Sequence, residues 1–288
     1  MSVEVSVLIV TYNSAWCIGR CLASLHEHTR GIDYEAIVVD NASSDATREV
    51  VASEHPWARV IARRRNDGLS AAINDGAAAS SGTYVMVLNP DTHVDANVLA
   101  PLSAYLRAHA DAGVVAPKLL DDDGTLQLSC RAFPGYTTAL FNRYSALTRL
   151  FPGNRLSRRY LLSDFDHASE RDVDWVSGAA LMMPRGVFHE VGGWDPGFFM
   201  FNEDVDFCRR VHDAGYRVVY DPSVVVYHTI GVSKSTSARM VVERHKSMWR
   251  YYRKHLRGGP LRDAATGAGI ALRCAAMLGM GALRGRSP

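Results

Sequence analysis

The chain has 288 residues, of which 47% are hydrophobic and 22% are charged, and its formal net charge is +2. This length suits one large domain or two modest ones, and the composition is that of a soluble globular protein with a good core. The near-neutral balance excludes a protein that binds polyanions over its whole surface. The five scattered cysteines lack zinc-ribbon spacing, which indicates reduced thiols in a cytosolic compartment.

The N-terminal residues do not resemble a signal peptide. Met1 is followed almost at once by VEVSVLIVTYN, which has neither the basic leader nor the cleavage site of a signal peptide. No uncharged apolar run reaches the roughly 20 residues that a transmembrane helix needs. We therefore expect neither a secretory signal nor a membrane span in this sequence.

The first third of the chain alternates between two kinds of segment. Apolar runs rich in β-branched residues predict four strands, over 5–12, 34–41, 58–64 and 83–89. Apolar or small residues at helical spacing predict three helices, over 14–28, 43–55 and 68–80. Strands that alternate with helices in this way predict an α/β fold with a mostly parallel sheet covered on both faces.

Each predicted strand ends in polar residues. These strand ends are Thr11-Tyr12-Asn13, Asp40-Asn41, Asn66-Asp67-Gly68 and Asn89-Pro90-Asp91. In parallel sheets the carboxyl ends of the strands share one edge, and ligands bind there. The sequence therefore predicts one ligand site built from four separate strand ends.

Beyond about residue 117 the pattern changes. The segment 119–133 predicts a hairpin around Asp-Gly, and 134–172 is irregular and suggests a mobile or partner-facing insertion. A strand and a short helix follow within 172–195. A helix is predicted to start on Asn202 and end at Gly215, followed by a last strand and loop over 224–233.

Two carboxylates at strand ends each allow two interpretations. Asp91 can hold a hard divalent cation, since Mg²⁺ and Mn²⁺ prefer carboxylate and phosphate oxygens, or it can simply form an Asx-type turn. Asp40 can accept hydrogen bonds from a base or a ribose, or it can belong only to a capping cluster with the serines that follow it. The residues alone leave both choices open.

A second acidic group lies at the start of the predicted helix after Asn202. Glu203, Asp204 and Asp206 crowd its N-terminus, where negative charge compensates the helix dipole. Asp204 and Asp206 are about 200° apart on a helical wheel, so they cannot share one face. At least one should point inward among phenylalanines, where a carboxylate can act as a general base. His228, at a strand end, is either a structural histidine or a metal ligand.

The C-terminal end is basic. Residues 239–257 carry many lysines and arginines with aromatic residues between them, and Arg262, Arg273 and Arg284 follow at intervals of eleven. This interval places the three arginines on one slowly drifting stripe opposite small apolar residues, which favours an interfacial amphipathic helix. A frayed soluble tail remains the alternative, and nothing else in the chain supports nucleic-acid binding.

Four ordered blocks together resemble a known family. VSVLIVTYNS, EAIVVDNASSDAT, NDGLSAAINDGAAASSGTYVMVLNPDT and GGWDPGFFMFNEDVDFCRR are similar to successive motifs of family-2 inverting glycosyltransferases with the GT-A fold, in particular the bacterial rhamnosyltransferase-like branch. The resemblance covers roughly residues 3–235. It implies a Rossmann-like nucleotide-sugar-binding half over 1–117, an acceptor and catalytic half over 118–235, and a helical tail over 236–288.

The resemblance also implies roles for individual residues. The nucleotide and the donor sugar would contact residues along the strand ends and in the later blocks, namely Thr11, Asn13, Asp40, Asn66, Gly68, Asn74, Asn89 and Gly178. Asp91, with His228 as a further ligand, would hold Mg²⁺ or Mn²⁺ against the donor diphosphate. Asp204 would be the catalytic base, and Trp194 and Glu203 would lie on the acceptor side.

One departure from the family pattern affects the metal site. The usual Asp-X-Asp is Asn89-Pro90-Asp91 here, so only one carboxylate is present, and the donor diphosphate would supply much of the metal binding. One base without an enzymic nucleophile implies a single displacement that inverts the anomeric carbon.

The resemblance implies substrates as well. The donor would be a dTDP- or UDP-linked sugar, with dTDP-rhamnose favoured, and the acceptor a glycan or a lipid-linked saccharide of the cell envelope. The protein would be cytoplasmic and peripheral on the inner face of the plasma membrane, held by its tail. Two alternatives stay open, a nucleotidyltransferase acting on sugar phosphates and an inactive nucleotide-sugar-binding scaffold. The first lacks the Gly-rich phosphate loop expected after the first strand.

Overall fold

The computed structural model describes residues 3–135, 155–162, 164–229 and 237–284. The strands are β1 (Val5–Thr11), β2 (Tyr34–Asp40), β3 (Arg59–Ala62), β4 (Tyr84–Leu88), β5 (Thr92–His93), β6 (Ala112–Leu120), β7 (Leu126–Gln127), β8 (Cys130–Arg131), β9 (Arg171–Asp172), β10 (Trp175–Val176), β11 (Ala180–Pro184) and β12 (Arg217–His228). The helices are α1 (Ile18–His28), α2 (Thr47–Glu54), α3 (Leu69–Ala79), α4 (Leu99–Ala108), α5 (Arg155–Leu161), α6 (Arg185–Glu190), α7 (Glu203–Asp213), α8 (Ala238–His255) and α9 (Pro260–Arg284).

A single large sheet organises the fold. Its strands follow the order β3-β2-β1-β4-β11-β6-β12-β5. Strands β1 to β4 pair in parallel, β6 and β12 pair in parallel, and β11 lies antiparallel between β4 and β6. The predicted α/β fold with a mostly parallel sheet is therefore confirmed.

Strand β1 lies in the middle of this sheet and is buried on both faces. Val7 and Ile9 belong to the core beneath helix α1, whereas Leu8 belongs to the core beneath helix α3. Successive side chains of a strand point to opposite faces, so one continuous apolar run serves two cores. This explains why residues 7–10 of the first strand are all hydrophobic.

Most predicted elements are present, with shifted bounds. The hairpin is formed by β6 and β7, which pair Leu119 with Gln127, and the predicted helix after Asn202 is α7. Helix α1 begins only at Ile18, because residues 12–17 form the loop that crosses the end of β2. Cys17 and Cys21 are buried free thiols.

Two other predictions meet the limits of the described residues. Most of the irregular segment, 136–154 and position 163, and the end of the last predicted strand and loop, 230–236, lie outside them. Within the same region α5 is helical. The expected boundary at residue 117 falls inside β6, and strands from both predicted halves share the one sheet.

The C-terminal tail forms two antiparallel helices. The Tyr252 hydroxyl donates to Asp263 at 2.7 Å, and a Cβ added at Gly267 would lie 3.4 Å from the ring of Trp249. The outward face of α9 is apolar, with Leu261 90% and Leu272 72% exposed. The predicted arginine stripe is not seen as such: Arg262 is exposed and Arg273 is partly buried, while the Arg284 side chain lies outside the described set.

Helix α9 also bears on the expectation of no membrane span. By length and composition, the 22 residues Pro260–Gly281, with mean hydropathy 1.2 and none of the segment buried, could cross a membrane. The sequence expectation rested on uncharged runs, and Arg262, Asp263 and Arg273 interrupt this one. Length and composition alone do not decide between a helix that crosses a membrane and one that lies on its surface.

Candidate active site

The ends of β1 and β2 are joined by hydrogen bonds. Thr11 and Asp40 are register partners, and the Thr11 hydroxyl donates to an Asp40 carboxylate oxygen at 3.2 Å. The other oxygen accepts from the Ser43 amide at 3.1 Å, and Arg48 lies 3.7 Å from it. Asp40 is 1% exposed. Its first role is therefore to hold the strand ends together, and its predicted contact with the nucleotide stays a prediction.

The loop after β1 is fastened to the loop after β2. Asn13 adopts a left-handed φ of 53°, its amide donates to the Ser43 hydroxyl, and its side-chain oxygen accepts from the Ser44 amide at 2.9 Å. Tyr12, beside it, is 51% exposed. These contacts build a rigid edge of polar groups where the sequence predicted the nucleotide.

The loop that contains Asn66 and Gly68 forms the next part of this edge. The Asn41 amide donates to the Asn66 side chain at 2.9 Å and to the Gly68 carbonyl at 3.1 Å. Arg63 donates in turn to Asn41 at 2.8 Å. The sequence analysis did not predict this organising role of Asn41 and Arg63, although Asn41 belongs to one of the polar strand ends that it named.

Gly68 is required by a close approach of two loops. Its φ is +97°, and a Cβ at this position would lie 2.5 Å from the Phe199 carbonyl oxygen. The same oxygen accepts from the Leu69 amide at 2.8 Å. A side chain would therefore separate the donor loop from the segment that leads into α7.

Asp91 and His228 lie together, as predicted. The Nε2 atom of His228 is 3.3 Å from Asp91 Oδ1, and this buried oxygen accepts no hydrogen bond among the described residues. Asn89 contributes its amide nitrogen 3.5 Å from the same ring nitrogen. His228 belongs to β12, and Asp91 directly precedes β5, whose Thr92 pairs with His228.

Gln127 determines which nitrogen of His228 faces Asp91. Its Nε2 donates to Asp121 at 2.7 Å, so its Oε1 accepts, 2.9 Å away, from Nδ1–H of the histidine. The lone pair of His228 Nε2 can then point at a carboxylate oxygen, and a cation bound between these two acceptors would stabilise them. The residues present thus fit a divalent metal. Nothing in the sequence marked Gln127 beyond its place in the hairpin.

The protein supplies few of the ligands such a metal needs. Among the described residues, no group of three or more His, Cys, Asp or Glu side chains converges as a metal site. Mg²⁺ and Mn²⁺ accept additional oxygens from substrate phosphates and water. This agrees with the expectation, drawn from Asn89, that the metal is held together with the donor.

Asp204 is anchored at the start of α7. Its two carboxylate oxygens accept from the Gly178 amide at 3.1 Å and the Val205 amide at 2.8 Å. A Cβ at Gly178 would lie 3.1 Å from the Trp194 ring and 3.5 Å from the Asp204 Cβ, so glycine permits this approach. The carboxylate is therefore aimed by the backbone rather than by other side chains.

Burial separates the titration of the two adjacent acids. Removal from water raises the pKa of Asp204, although the two backbone amides and the charge of Arg131 act against it. Removal from water and then the charge of Asp204 raise the pKa of Glu203 well above its ordinary value. Glu203 therefore holds its proton more tightly, and Asp204 is the group suited to accept one.

Asp206 points away from this site, as the helical wheel predicted. It is 0% exposed, and its oxygens lie 2.9 Å from Arg210 Nε, 2.7 Å from Lys254 Nζ and 2.7 Å from His255 Nε2. Asp206 therefore attaches helix α8 to helix α7. Asp204 and Asp206 thus lie on opposite faces of one helix and make different contacts.

Trp194 and Asn74 lie behind the site. The Trp194 side chain is 0% exposed and stacks on Phe207 with ring centroids 5.5 Å apart, so the structure does not support its predicted contact with the acceptor. The Asn74 amide bonds the backbone N–H and carbonyl of Trp194 at 2.9 and 2.7 Å. This explains why Asn74 matters to the loop, while its predicted donor contact stays a prediction.

The metal segment and the base converge on one short piece of backbone. The Asn89 amide donates to the Ala179 carbonyl at 2.8 Å, and the preceding residue, Gly178, binds Asp204. Strand β11 thus begins between the two groups. Asp204 and the Asn89–Asp91 segment therefore lie on either side of it.

A family model named glycosyl transferase family 2 matches residues 6–165. The chain belongs to this family. It is a glycosyltransferase, and the resemblance drawn from the four sequence blocks is confirmed. The match covers the strand ends that carry Thr11, Asp40 and Asp91.

Curated relatives extend the similarity over nearly the whole chain. An N-acetylglucosaminyl-diphospho-decaprenol L-rhamnosyltransferase of Mycobacterium tuberculosis is 29% identical over 282 residues, covering 93% of this chain and 90% of the relative. The rhamnosyltransferase WbbL of Escherichia coli is 24% identical, covering 78% of this chain and 83% of the relative.

Solved structures establish the fold. A mannosyltransferase from Pyrobaculum calidifontis, in complex with GDP-Man and Mn²⁺, has a TM-score of 0.61 and 20% identity, and covers 98% of this chain and 80% of its own. GalNAc-T7 with UDP, GalNAc and Mn²⁺ has a TM-score of 0.63 and 18% identity, with 88% of this chain and 49% of the other covered. The GT-A fold predicted from the sequence is confirmed, and the Mn²⁺ in both structures agrees with a divalent metal here.

Proposed function

We propose that this glycosyltransferase moves L-rhamnose from dTDP-rhamnose to a hydroxyl of a saccharide carried on a polyprenyl diphosphate, in the synthesis of a cell-envelope polysaccharide. The similarity to the mycobacterial L-rhamnosyltransferase supports this, because it spans both chains almost completely. The main structural support is that Asp204 and the Asn89–Asp91 segment both contact the backbone at the start of β11.

Each part of the site has a task in this reaction. Thr11, Asn13 and Asp40 hold the nucleoside at the joined strand ends, and the loop with Asn66 and Gly68 closes the donor pocket. Asp91 and His228 would hold Mg²⁺ or Mn²⁺, which supplies positive charge opposite the departing diphosphate. These tasks would run in order along the site, from the strand ends that would bind the nucleoside to the anomeric carbon that would react.

Asp204 performs the proton transfer. It accepts the proton of the acceptor hydroxyl while that oxygen forms a bond to the anomeric carbon and the bond to the nucleoside diphosphate breaks. The site offers this one base and the reaction needs no covalent intermediate, so the configuration at the anomeric carbon inverts. The two amides that bind Asp204 keep one of its lone pairs directed toward the incoming hydroxyl.

A membrane-bound acceptor would explain the composition of the C-terminal helices α8 and α9. The exposed apolar face of α9 and the basic helix α8 fit a peripheral position on the inner face of the plasma membrane, with the catalytic domain in the cytoplasm. A polyprenyl-linked acceptor is confined to that surface. Deletion of 261–288 should move the protein from the membrane fraction to the soluble fraction, and unchanged partitioning would contradict this role.

A donor screen tests the proposal. Thermal shift measured with dTDP-, UDP- and GDP-sugars, each with Mg²⁺ or Mn²⁺, should show the largest rise in Tm with dTDP-rhamnose, since a ligand that binds only the folded state stabilises it. Transfer of rhamnose to a diphosphate-linked N-acetylglucosamine should follow. Stabilisation by another nucleotide sugar would correct the donor, and formation of a nucleotide sugar from a sugar phosphate would replace the reaction.

A further inference from the structure

In the described part of the chain, some basic residues of helix α8 pair with carboxylates, whereas others do not. In its C-terminal half, Arg250 and Lys254 lie within 2.7–2.9 Å of Asp195. In its N-terminal half, the ion pairs among the described residues include no carboxylate for Arg239 or Arg244. The positive charge of Arg239 and Arg244 is therefore not neutralised by any carboxylate of the described residues.

Arg239 and Arg244 face aromatic rings instead. The guanidinium carbon of Arg244 lies 4.5 Å from the ring centre of Phe201, and that of Arg239 lies 4.9 Å from the ring centre of Phe199. A ring face holds a guanidinium in place while leaving its N–H groups free to bind an anion. Phe201 is separated from Asp204 by only two residues, so these arginines border the acceptor side of the base.

Helix α9 brings a third arginine to the same place. The contacts Tyr252 with Asp263 and Trp249 with Gly267 set the antiparallel register of the two helices, and continuing it places Arg273 beside Arg244. Arg273 is partly buried, and no ion pair with a carboxylate is found for it among the described residues. Burial, and then the charge of Arg244, lower the pKa of Arg273.

Two neighbouring guanidinium groups that are partly removed from water repel each other and lose hydration. Such an arrangement is stable at low cost only when an anion completes it. The planar fork of arginine matches the oxygens of a phosphate, and two forks match a diphosphate. The donor diphosphate is expected at Asp91 and His228, so it is not the anion for this second site.

We propose that Arg244 and Arg273 bind the diphosphate group of the lipid-linked acceptor, with Arg239 at the edge of the site. The site lies between the apolar face of α9 and the loop that leads to Asp204. The prenyl chain would thus stay at the membrane while the acceptor sugar reaches the base. The identity of this anion rests on the proposed function, whereas the existence of an anion site does not.

Arg253 offers a matched control for a test. It is an exposed arginine of the same helix, 5.6 Å from the ring centre of Trp249, and it removes the same charge when replaced. The variants Arg244→Gln, Arg273→Gln and Arg253→Gln are compared on two acceptors. One is N-acetylglucosamine linked through a diphosphate to a short prenyl chain, and the other is an alkyl N-acetylglucosaminide without phosphate.

The expected result is a selective effect on one acceptor. The KM for the diphosphate acceptor should rise about tenfold to a hundredfold in R244Q and R273Q, because each loses a charge-assisted bond to phosphate, while kcat changes little. The KM for the alkyl glycoside should stay unchanged in all variants, and R253Q should behave as the wild type. Equal KM values in R244Q, R273Q and R253Q for the diphosphate acceptor would overturn the proposal.

Two further arms separate the remaining possibilities. If an anionic phospholipid headgroup were the ligand, R244Q would sediment with anionic vesicles less than R253Q does. R244Q would then keep the wild-type KM for the diphosphate acceptor in detergent. That pair of results would also overturn the proposal. If the wild type transfers sugar to neither acceptor, the proposed function fails. Calorimetry with inorganic pyrophosphate then tests the site alone: binding weakened in R244Q but not in R253Q supports it, and equal binding refutes it.

Discussion

The substitution Asp206→Asn tests how helix α8 is attached to helix α7, which carries the proposed base Asp204. The Asp206 carboxylate is fully buried and contacts Arg210, Lys254 and His255. Asparagine keeps the size of the side chain and removes its charge. The cations that remain lose the only carboxylate buried among them in the described part of the chain.

The magnitude follows from burial. Removing one partner of a buried ion pair destabilises a protein by about 3–5 kcal/mol, because the other charge stays without compensation. Lys254 keeps its contact with Asp195 at 2.9 Å and its side chain is 32% exposed, so we expect the lower end, about 3 kcal/mol. For a chain of this size that corresponds to a Tm about 6–12 °C lower.

A neighbouring acid gives the control. Asp213 forms a pair with Arg209 on the same helix, but its side chain is 56% exposed, and such surface pairs contribute about 0–1 kcal/mol. Urea unfolding of the wild type, Asp206→Asn and Asp213→Asn measures both differences at constant m-value. Equal stability of the two variants would show that the buried contacts do not hold the helices together.

The pH dependence gives an independent check. Burial alone would raise the pKa of Asp206, but the bonds from His255 and Lys254 outweigh it and hold the pKa below the ordinary value of 3.8. The stabilisation is therefore complete above about pH 4 and lost as pH falls through the lowered pKa. The difference between wild type and Asp206→Asn should shrink below that value, and a difference that grows on acidification would refute the reasoning.

Three further predictions concern the site. Asp204→Asn should lower kcat by about 10²- to 10⁴-fold while the donor still raises the Tm as in the wild type. In the wild type, the raised pKa of Asp204 should make kcat/KM fall on the acid side at a pH above the ordinary carboxyl value of 3.8. Activity of Asp204→Asn within tenfold of wild type would contradict its role as base. Gln127→Leu should raise the Mn²⁺ concentration for half-maximal activity by about 10- to 100-fold, since His228 loses its orienting partner, and an unchanged metal requirement would count against this. Gly68→Ala should abolish donor binding through overlap with Phe199, whereas Gly31→Ala, at φ +70° with open space around it, should retain it; normal donor binding in Gly68→Ala would contradict the docking of the two loops.

Local sequence was sufficient for the strands and their polar ends. The runs 5–12, 34–41 and 83–89 are largely apolar up to their polar ends because central parallel strands are buried on both faces, and such runs have few alternative structures. The carboxyl ends of parallel strands meet at one edge, so Thr11 and Asp40 could be placed together before any coordinates. The family could be recognised for the same reason, since its motifs lie at these ends.

Other features depend on contacts between distant segments. Gln127 is 101 residues from His228, and only the pairing of β6 with β7 and β12 brings it to the histidine. Trp194 seemed suited to an acceptor, yet it packs against Phe207 behind Gly178. Neither relation has a local pattern, because each depends on which surfaces meet after the sheet has formed.

The sequence by itself determined the α/β class, the glycosyltransferase family and the edge at which the polar strand ends meet. The periodicity of apolar residues and the polar residues at strand ends are local properties, so they can be recognised from the sequence alone. The tertiary structure decided how the acids divide their work, with Asp204 bound by backbone amides and Asp206 bound by the C-terminal helix. It also decided that Arg244 and Arg273 converge, because this depends on the antiparallel register of two helices that the sequence places in order but does not align.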